Sequence, residues 1–329
     1  RRRHTRSLCD WSSDVCSSDL TLIFDDKTKA QVSKQKTILK PRHFIGPSSI
    51  SLEMQHVIPV KDDEKGLRNT IYNDYCVTDK ADGYRKMLYI SKTNGKVYLI
   101  NTQMEFQYTG MTCKQKEYFN TLLDGEHITK TKDGSKTHLF AIFDIYFYQG
   151  DDVRDRPFFH VNHDDDESDK GHEYARYEYM KDVLHHVDYN YISEINRLQI
   201  IVKSFHIYPS ILKANKIVLQ TNHIYEVDGL IFTPISLGVG MENKKDNIVN
   251  HKKTWTKSLK WKPPQYNTVD FLILDKGEIQ HKYLQHADRS IEYKTLTLCV
   301  GYDPTNKQHG LIQPCETILH NKINENKDR

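Results

Sequence analysis

The sequence predicts an α+β fold of twisted antiparallel sheets with flanking helices, and three observations predict it. From about residue 71, short runs rich in β-branched and aromatic residues recur along the chain. Asn-Gly and Asp-Gly pairs at 94–95 and 133–134 separate such runs at hairpin spacing. Only two stretches, 172–187 and 209–217, read as helices, the first because Tyr177, Met180 and Leu184 recur at threes and fours.

Composition sets the outer limits. The chain has 329 residues, 37% hydrophobic and 28% charged, enough for one large domain or two ordinary ones. No run approaches the roughly 18 apolar residues of a spanning helix, and no segment has signal-peptide order, so an intracellular location without a membrane partner is expected. The six cysteines contain no CxxC pair, which argues against a zinc site or a disulfide framework. A net charge of +3 excludes a histone-like mode of nucleic-acid binding but permits a local basic groove. Residues 10–20, DWSSDVCSSDL, read as the translation of a widely used sequencing-adaptor oligonucleotide. Residues 1–20 are therefore expected to be foreign to the protein, and without them the balance moves only to +2.

The elements follow in order. Tyr75 and Val77 lead a strand into Lys80, after which 86–91 and 96–101 form an expected two-residue hairpin around Asn94 and Gly95. A second pair, 121–128 and 138–148, turns at Asp133 and Gly134. The acidic stretch 151–169 lacks the spacing and central glycine of a calcium loop and reads as a solvated surface insertion. After the first helix come a strand at 198–208, the short second helix and a strand at 224–232. Pro263 and Pro264 cannot continue a ladder, and 268–274 starts a new strand, so domains are expected at 21–264 and 265–329.

Five segments carry chemistry. The string Lys80, Ala81, Asp82, Gly83, Tyr84, Arg85 has the form KxDGxR, and its bland reading is a tight turn with solvated charges. LLDGE at 122–126, AIFD at 141–144, EVDGLIF at 226–232 and LKWKP at 259–263 follow it. Each alone is a turn, a core strand or a basic surface strand. A lysine that attacks phosphorus must be neutral, which a free lysine is in only about one molecule in 2,500 at pH 7. Neighbouring cations favour the neutral form, and on a strand Lys260 and Lys262 share a face while Trp261 turns to the core. The same two charges suit a triphosphate, and the carboxylates of Asp228 and Glu126 are hard ligands of the kind magnesium or manganese takes.

In this order and over residues 40–275, the five segments resemble the signatures of covalent nucleotidyltransferases, the superfamily of mRNA guanylyltransferases and ATP-dependent polynucleotide ligases. DGLIFTP at 228–234, WKPP at 261–264 and NTVDF at 267–271 are similar to the guanylyltransferases. PRHFIGPSSISLE at 41–53 resembles the segment before the lysine in capping enzymes of large nucleocytoplasmic DNA viruses.

The resemblance implies a nucleotidyltransferase domain followed by the start of an OB-fold domain. It implies Lys80 as nucleophile, with Lys260 and Lys262 as catalytic partners. Nucleotide contacts fall on Arg85, Glu126, Phe143, Asp144, Lys203 and Asp228, with Phe143 stacking on the base and Lys203 at the guanine edge. A Mg2+ or Mn2+ ion would sit on Glu126 and Asp228. The implied substrates are GTP and the 5′-diphosphate end of RNA, joined to GpppRNA through lysyl-GMP. The implied partners are RNA triphosphatase and methyltransferase domains of the same polypeptide, in host cytoplasm or virion if the source is viral. One departure stands out: the family's last motif, an RxDK-like string, is not found before Arg329, so the chain is expected to be an internal fragment. The rival readings are an ATP-dependent RNA or DNA ligase and a catalytically incompetent RNA-binding or assembly module.

Overall fold

The computed structural model describes residues 39–59, 70–160, 174–193, 197–207, 211–249, 251, 253–266, 272–284 and 288–299. Residues 1–20, the 161–169 part of the acidic stretch and the NTVDF segment lie outside the described residues. The chain divides into two compact units after Pro263, and what is described is mostly β-sheet with few helices.

The first unit is built on two sheets. One has four strands in the order β1 (Ser48–Ser51), β12 (Thr254–Trp261), β11 (Val227–Pro234), β2 (Tyr75–Ala81). The other runs β10 (Gln199–Val202), β7 (Lys136–Tyr148), β6 (Thr121–Lys130), β3 (Tyr84–Ile90), β4 (Lys96–Asn101), β5 (Phe106–Cys113), β9 (Tyr189–Tyr191), with β8 (Asp151–Asp152) on β7. Period-2 alternation explains the division of side chains: Leu88, Leu123, Phe140 and Ile142 meet under helix α1 (Arg176–His186), whose Met180 and Val183 complete that core. Met87, Tyr89, Leu122 and Tyr146 fill the opposite face with Phe44 and Ile45. Helix α2 (Ile211–Gln220) puts Ile211, Ala214 and Val218, spaced three and four apart, on Val77, Leu230, Phe232 and Leu259 of the four-stranded sheet.

Three expectations need correction. β3 and β4 pair from Ile90–Val97 and Ser91 donates to the Lys96 carbonyl, which leaves a four-residue loop where a two-residue turn was expected. The reason is local: Gly95, at φ +66°, donates to the Ser91 carbonyl, and the Asn94 side chain accepts the Lys96 N–H. The strand expected at 198–208 stops at Val202, because the chain leaves β7 and crosses to the other sheet, where His206 bridges Val77. Nor is the KxDGxR string a hairpin. Its two flanking strands, β2 and β3, belong to different sheets, so the string is the link between them.

Asp228-Gly229 is likewise no turn. It lies within β11 at a register shift against β2, and a Cβ on Gly229, at φ +154°, would sit 1.9 Å from the Trp261 carbonyl oxygen on β12. Gly229→Ala is expected to force β11 from β12 at a cost of about 2–3 kcal/mol, read by thermal unfolding.

The second unit, Pro264–Arg329, has as its described part a 3-10 turn at Pro264–Tyr266 and an antiparallel hairpin of β13 (Leu272–Leu284) and β14 (Arg289–Cys299). Its register shifts between Asp275 and Ile279.

Candidate active site

Because the KxDGxR string joins the sheets, Lys80 ends one and Arg85 begins the other. Between them lies a cavity of about 340 Å³ whose walls include Lys80, Arg85, Glu126, Phe143, Lys203 and Lys260. These residues come from β2, β3, β6, β7, β12 and the crossing segment after β10. Asp144 also borders it.

Lys80 Nζ donates to Asp228 Oδ1 at 2.6 Å, and Lys262 Nζ lies 2.6 Å from Oδ2 of the same carboxylate. Burial alone would raise the Asp228 carboxyl, but the hydrogen bonds from Lys262 and Lys80 bring it below its ordinary value. The expected pair Lys260 and Lys262 is thus divided in its contacts: Lys260, on β12, lines the cavity, while Lys262, just past the strand end, grips Asp228. Trp261 packs toward the α2 core between them.

Arg85 is held from all sides. Its Nε and Nη2 fork onto Asp124 at 3.2 and 2.6 Å, and Nη1 donates to the Pro47 carbonyl at 2.7 Å. Its guanidinium lies between the rings of Phe44 and Phe143, 5.5 and 5.6 Å from their centroids. The Tyr146 hydroxyl closes the network by donating to Asp124. Burial opposes the Arg85 charge, and Asp124 and Tyr146 more than offset it, so the guanidinium stays protonated. Expected from resemblance as a nucleotide contact, Arg85 spends its Nε and Nη2 donors on Asp124 and its Nη1 donor on tying Pro47 to the cavity wall.

Two further ions are similarly engaged. Lys203, buried in the wall, lies 3.0 Å from Asp79 Oδ2 and donates to the Asp79 carbonyl. The Asp144 carboxylate receives Arg176 Nε at 2.8 Å, and the same strand brings the rings of Phe143 and Tyr146 to the cavity. Asp79, Asp124, Tyr146 and Arg176 were missed by sequence reasoning. Only Asp124 carried a signal, since it alternates with Glu126 on β6.

Glu126 stands apart because, among the described residues, no cation forms an ion pair with it. Burial pushes its carboxyl up to about 7, against the pull of Lys203, Lys80 and Arg85. A folded-state value above the unfolded one means the folded chain binds the proton more tightly, so Glu126 lowers stability as pH rises from about 4.5 to about 7. Glu126→Gln is expected to gain stability relative to the parent across that window, measured by urea unfolding at pH 4.5 and pH 8.

Among the described residues no set of three metal-binding side chains converges. The carboxylates of Glu126 and Asp228 are hard oxygen ligands of the class that magnesium takes with phosphate and water.

A family model for the catalytic domain of mRNA capping enzymes matches residues 19–264, and the chain belongs to that family. It is 27% identical over 296 residues to a probable mRNA-capping enzyme of Acanthamoeba polyphaga mimivirus, covering 78% of this chain and 24% of that one. It is 32% identical over 223 residues to the mRNA-capping enzyme of Danio rerio, covering 65% and 33%. It is 27% identical over 278 residues to the mRNA-capping enzyme subunit alpha of Saccharomyces cerevisiae, covering 75% and 52%. The chain therefore spans about a quarter to a half of the length of these relatives.

Proposed function

We propose that the chain is the guanylyl-transferring part of an mRNA capping enzyme. The observation that carries this reading is Lys80, placed at the junction of two sheets beside a nucleotide-sized cavity, with its ammonium on a carboxylate shared with Lys262. In the first step Lys80 loses a proton and its Nζ bonds to the α-phosphorus of GTP as the bond to pyrophosphate breaks. In the second, a terminal phosphate oxygen of 5′-diphosphate RNA attacks that phosphorus, the P–N bond breaks, and Lys80 regains a proton while GpppRNA leaves.

Asp228 orients Nζ before attack, and Lys262 on its other oxygen shares its charge. Lys260 faces the cavity, where it meets the triphosphate. Phe143 offers a flat face to the base, with Lys203 at the guanine edge. A divalent ion held by Glu126 and Asp228, Mg2+ or Mn2+, would neutralise charge on the triphosphate as pyrophosphate departs. We read the second unit as the start of an OB-fold, and RNA triphosphatase and methyltransferase activities as partners in the same polypeptide.

The test is incubation with α-labelled GTP or ATP and a divalent cation, followed by denaturing electrophoresis. Label from GTP alone is expected. Label from ATP alone assigns the chain to the ligases, and RNA binding with no label from either nucleotide makes it a binding module.

A further inference from the structure

The eight-stranded sheet curls so that its two end strands, β9 and β10, border one cavity of about 1230 Å³, floored by Leu184 and Val187 at the end of α1. It lies on the face of the sheet away from Glu126, since the neighbouring His127 packs on His138 in its wall. Among the described residues of its wall, Lys130 and Lys136, paired across the β6–β7 hairpin, and Arg197, which precedes β10, are exposed cations, and Asp188 is a carboxylate. Tyr189 and Tyr191 add half-buried rings, and the Arg197 guanidinium lies 4.2 Å from the Tyr191 centroid. His127, only 5% exposed, has no hydrogen-bond partner on either ring nitrogen among the described residues.

We infer that this cavity binds the single-stranded body of an RNA, with phosphates on Lys130, Lys136 and Arg197 and a base against the tyrosine rings. Cations that follow a backbone beside aromatic faces are what a single strand requires, and the volume exceeds the roughly 300–1,000 Å³ of small-molecule pockets. An acidic peptide would use the charges and leave the rings idle. Lys130 lies four residues beyond Glu126, about 13 Å along β6, so the RNA rounds the sheet and its 5′ end stays free for the other face. The inference rests on RNA being the acceptor in the proposed reaction.

Anisotropy of a fluorescent single-stranded RNA bearing a 5′-diphosphate tests it with the full chain. Lys130→Ala/Lys136→Ala/Arg197→Ala is expected to weaken binding at least about tenfold and to flatten the log-log salt slope by about 2. Tyr191→Ala should weaken it about fivefold or more. Both variants should take label from GTP as the parent does, the triple one with unchanged melting and Tyr191→Ala with the modest fall that loss of its core packing brings. RNA affinity equal to the parent's in both variants overturns the inference while the guanylyltransferase reading stands. Displacement of the RNA by polyglutamate, with Tyr191→Ala silent, also overturns it and assigns the cavity to an acidic protein segment. Loss of RNA binding in the variants of a chain that GTP never labels sustains the inference and sinks the catalytic reading.

Discussion

Lys80→Ala is expected to remove covalent nucleotide from the protein altogether, a fall of at least about four orders of magnitude in the rate of labelling by α-labelled GTP. The loss follows from placement: of the cavity's lysines, Lys80 has its Nζ held by Asp228, Lys203 is paired with Asp79, and Lys260 is placed to meet the triphosphate. The fold should survive, since the Lys80 side chain is 23% exposed and Asp228 keeps Lys262 when Lys80 is cut away. Lys80→Arg separates the two jobs of the residue. A guanidinium can still hold Asp228 but is not deprotonated in proteins and so cannot attack. It should melt like the parent and remain unlabelled. Label on either variant at more than trace level would show that another residue carries the nucleotide.

The sequence made the site more legible than the scaffold. Lys80, Glu126, Phe143, Lys203 and Lys260 fall on separate strands and segments, Lys80, Glu126 and Lys260 singled out by their chemistry and motifs and Phe143 and Lys203 by the family resemblance, and all five border one cavity. What period-2 alternation does not encode is which strand a strand pairs with. KADGYR reads as a hairpin because Asp-Gly is a hairpin signal, whereas in the fold β2 pairs with β11 and β3 with β4 and β6. The partners of the buried ions were equally hidden. Asp144 and Arg176 are 32 residues apart with nothing local to couple them, and Arg85 and Asp124 meet only because β3 lies beside β6. Composition reported that charges were plentiful. Packing decided which were committed to the scaffold and which were left for a ligand.

That division gives the second large effect, the loss of Arg176. Its side chain is fully buried at the first turn of α1, with Nε 2.8 Å from Asp144 Oδ1 and Nη1 donating to the carbonyls of Arg156 and Leu237. Arg176→Met keeps the bulk but leaves the Asp144 carboxylate buried without its cation, at a cost of about 3–5 kcal/mol. Against a typical total of about 5–15 kcal/mol this is a large share, and it should lower the melting temperature by roughly 6–20 °C. Adding Asp144→Leu removes the stranded charge and should restore part of the loss. It should not restore all, because the two carbonyls that Arg176 served remain buried and unpaired. The double variant also relaxes the strand beside Phe143, so labelling should require more GTP while its maximal rate holds. Urea unfolding of the two single variants and the double one closes the cycle. A change below about 1 kcal/mol for Arg176→Met would mean that water reaches Asp144 and that the pair does not hold α1 to β7.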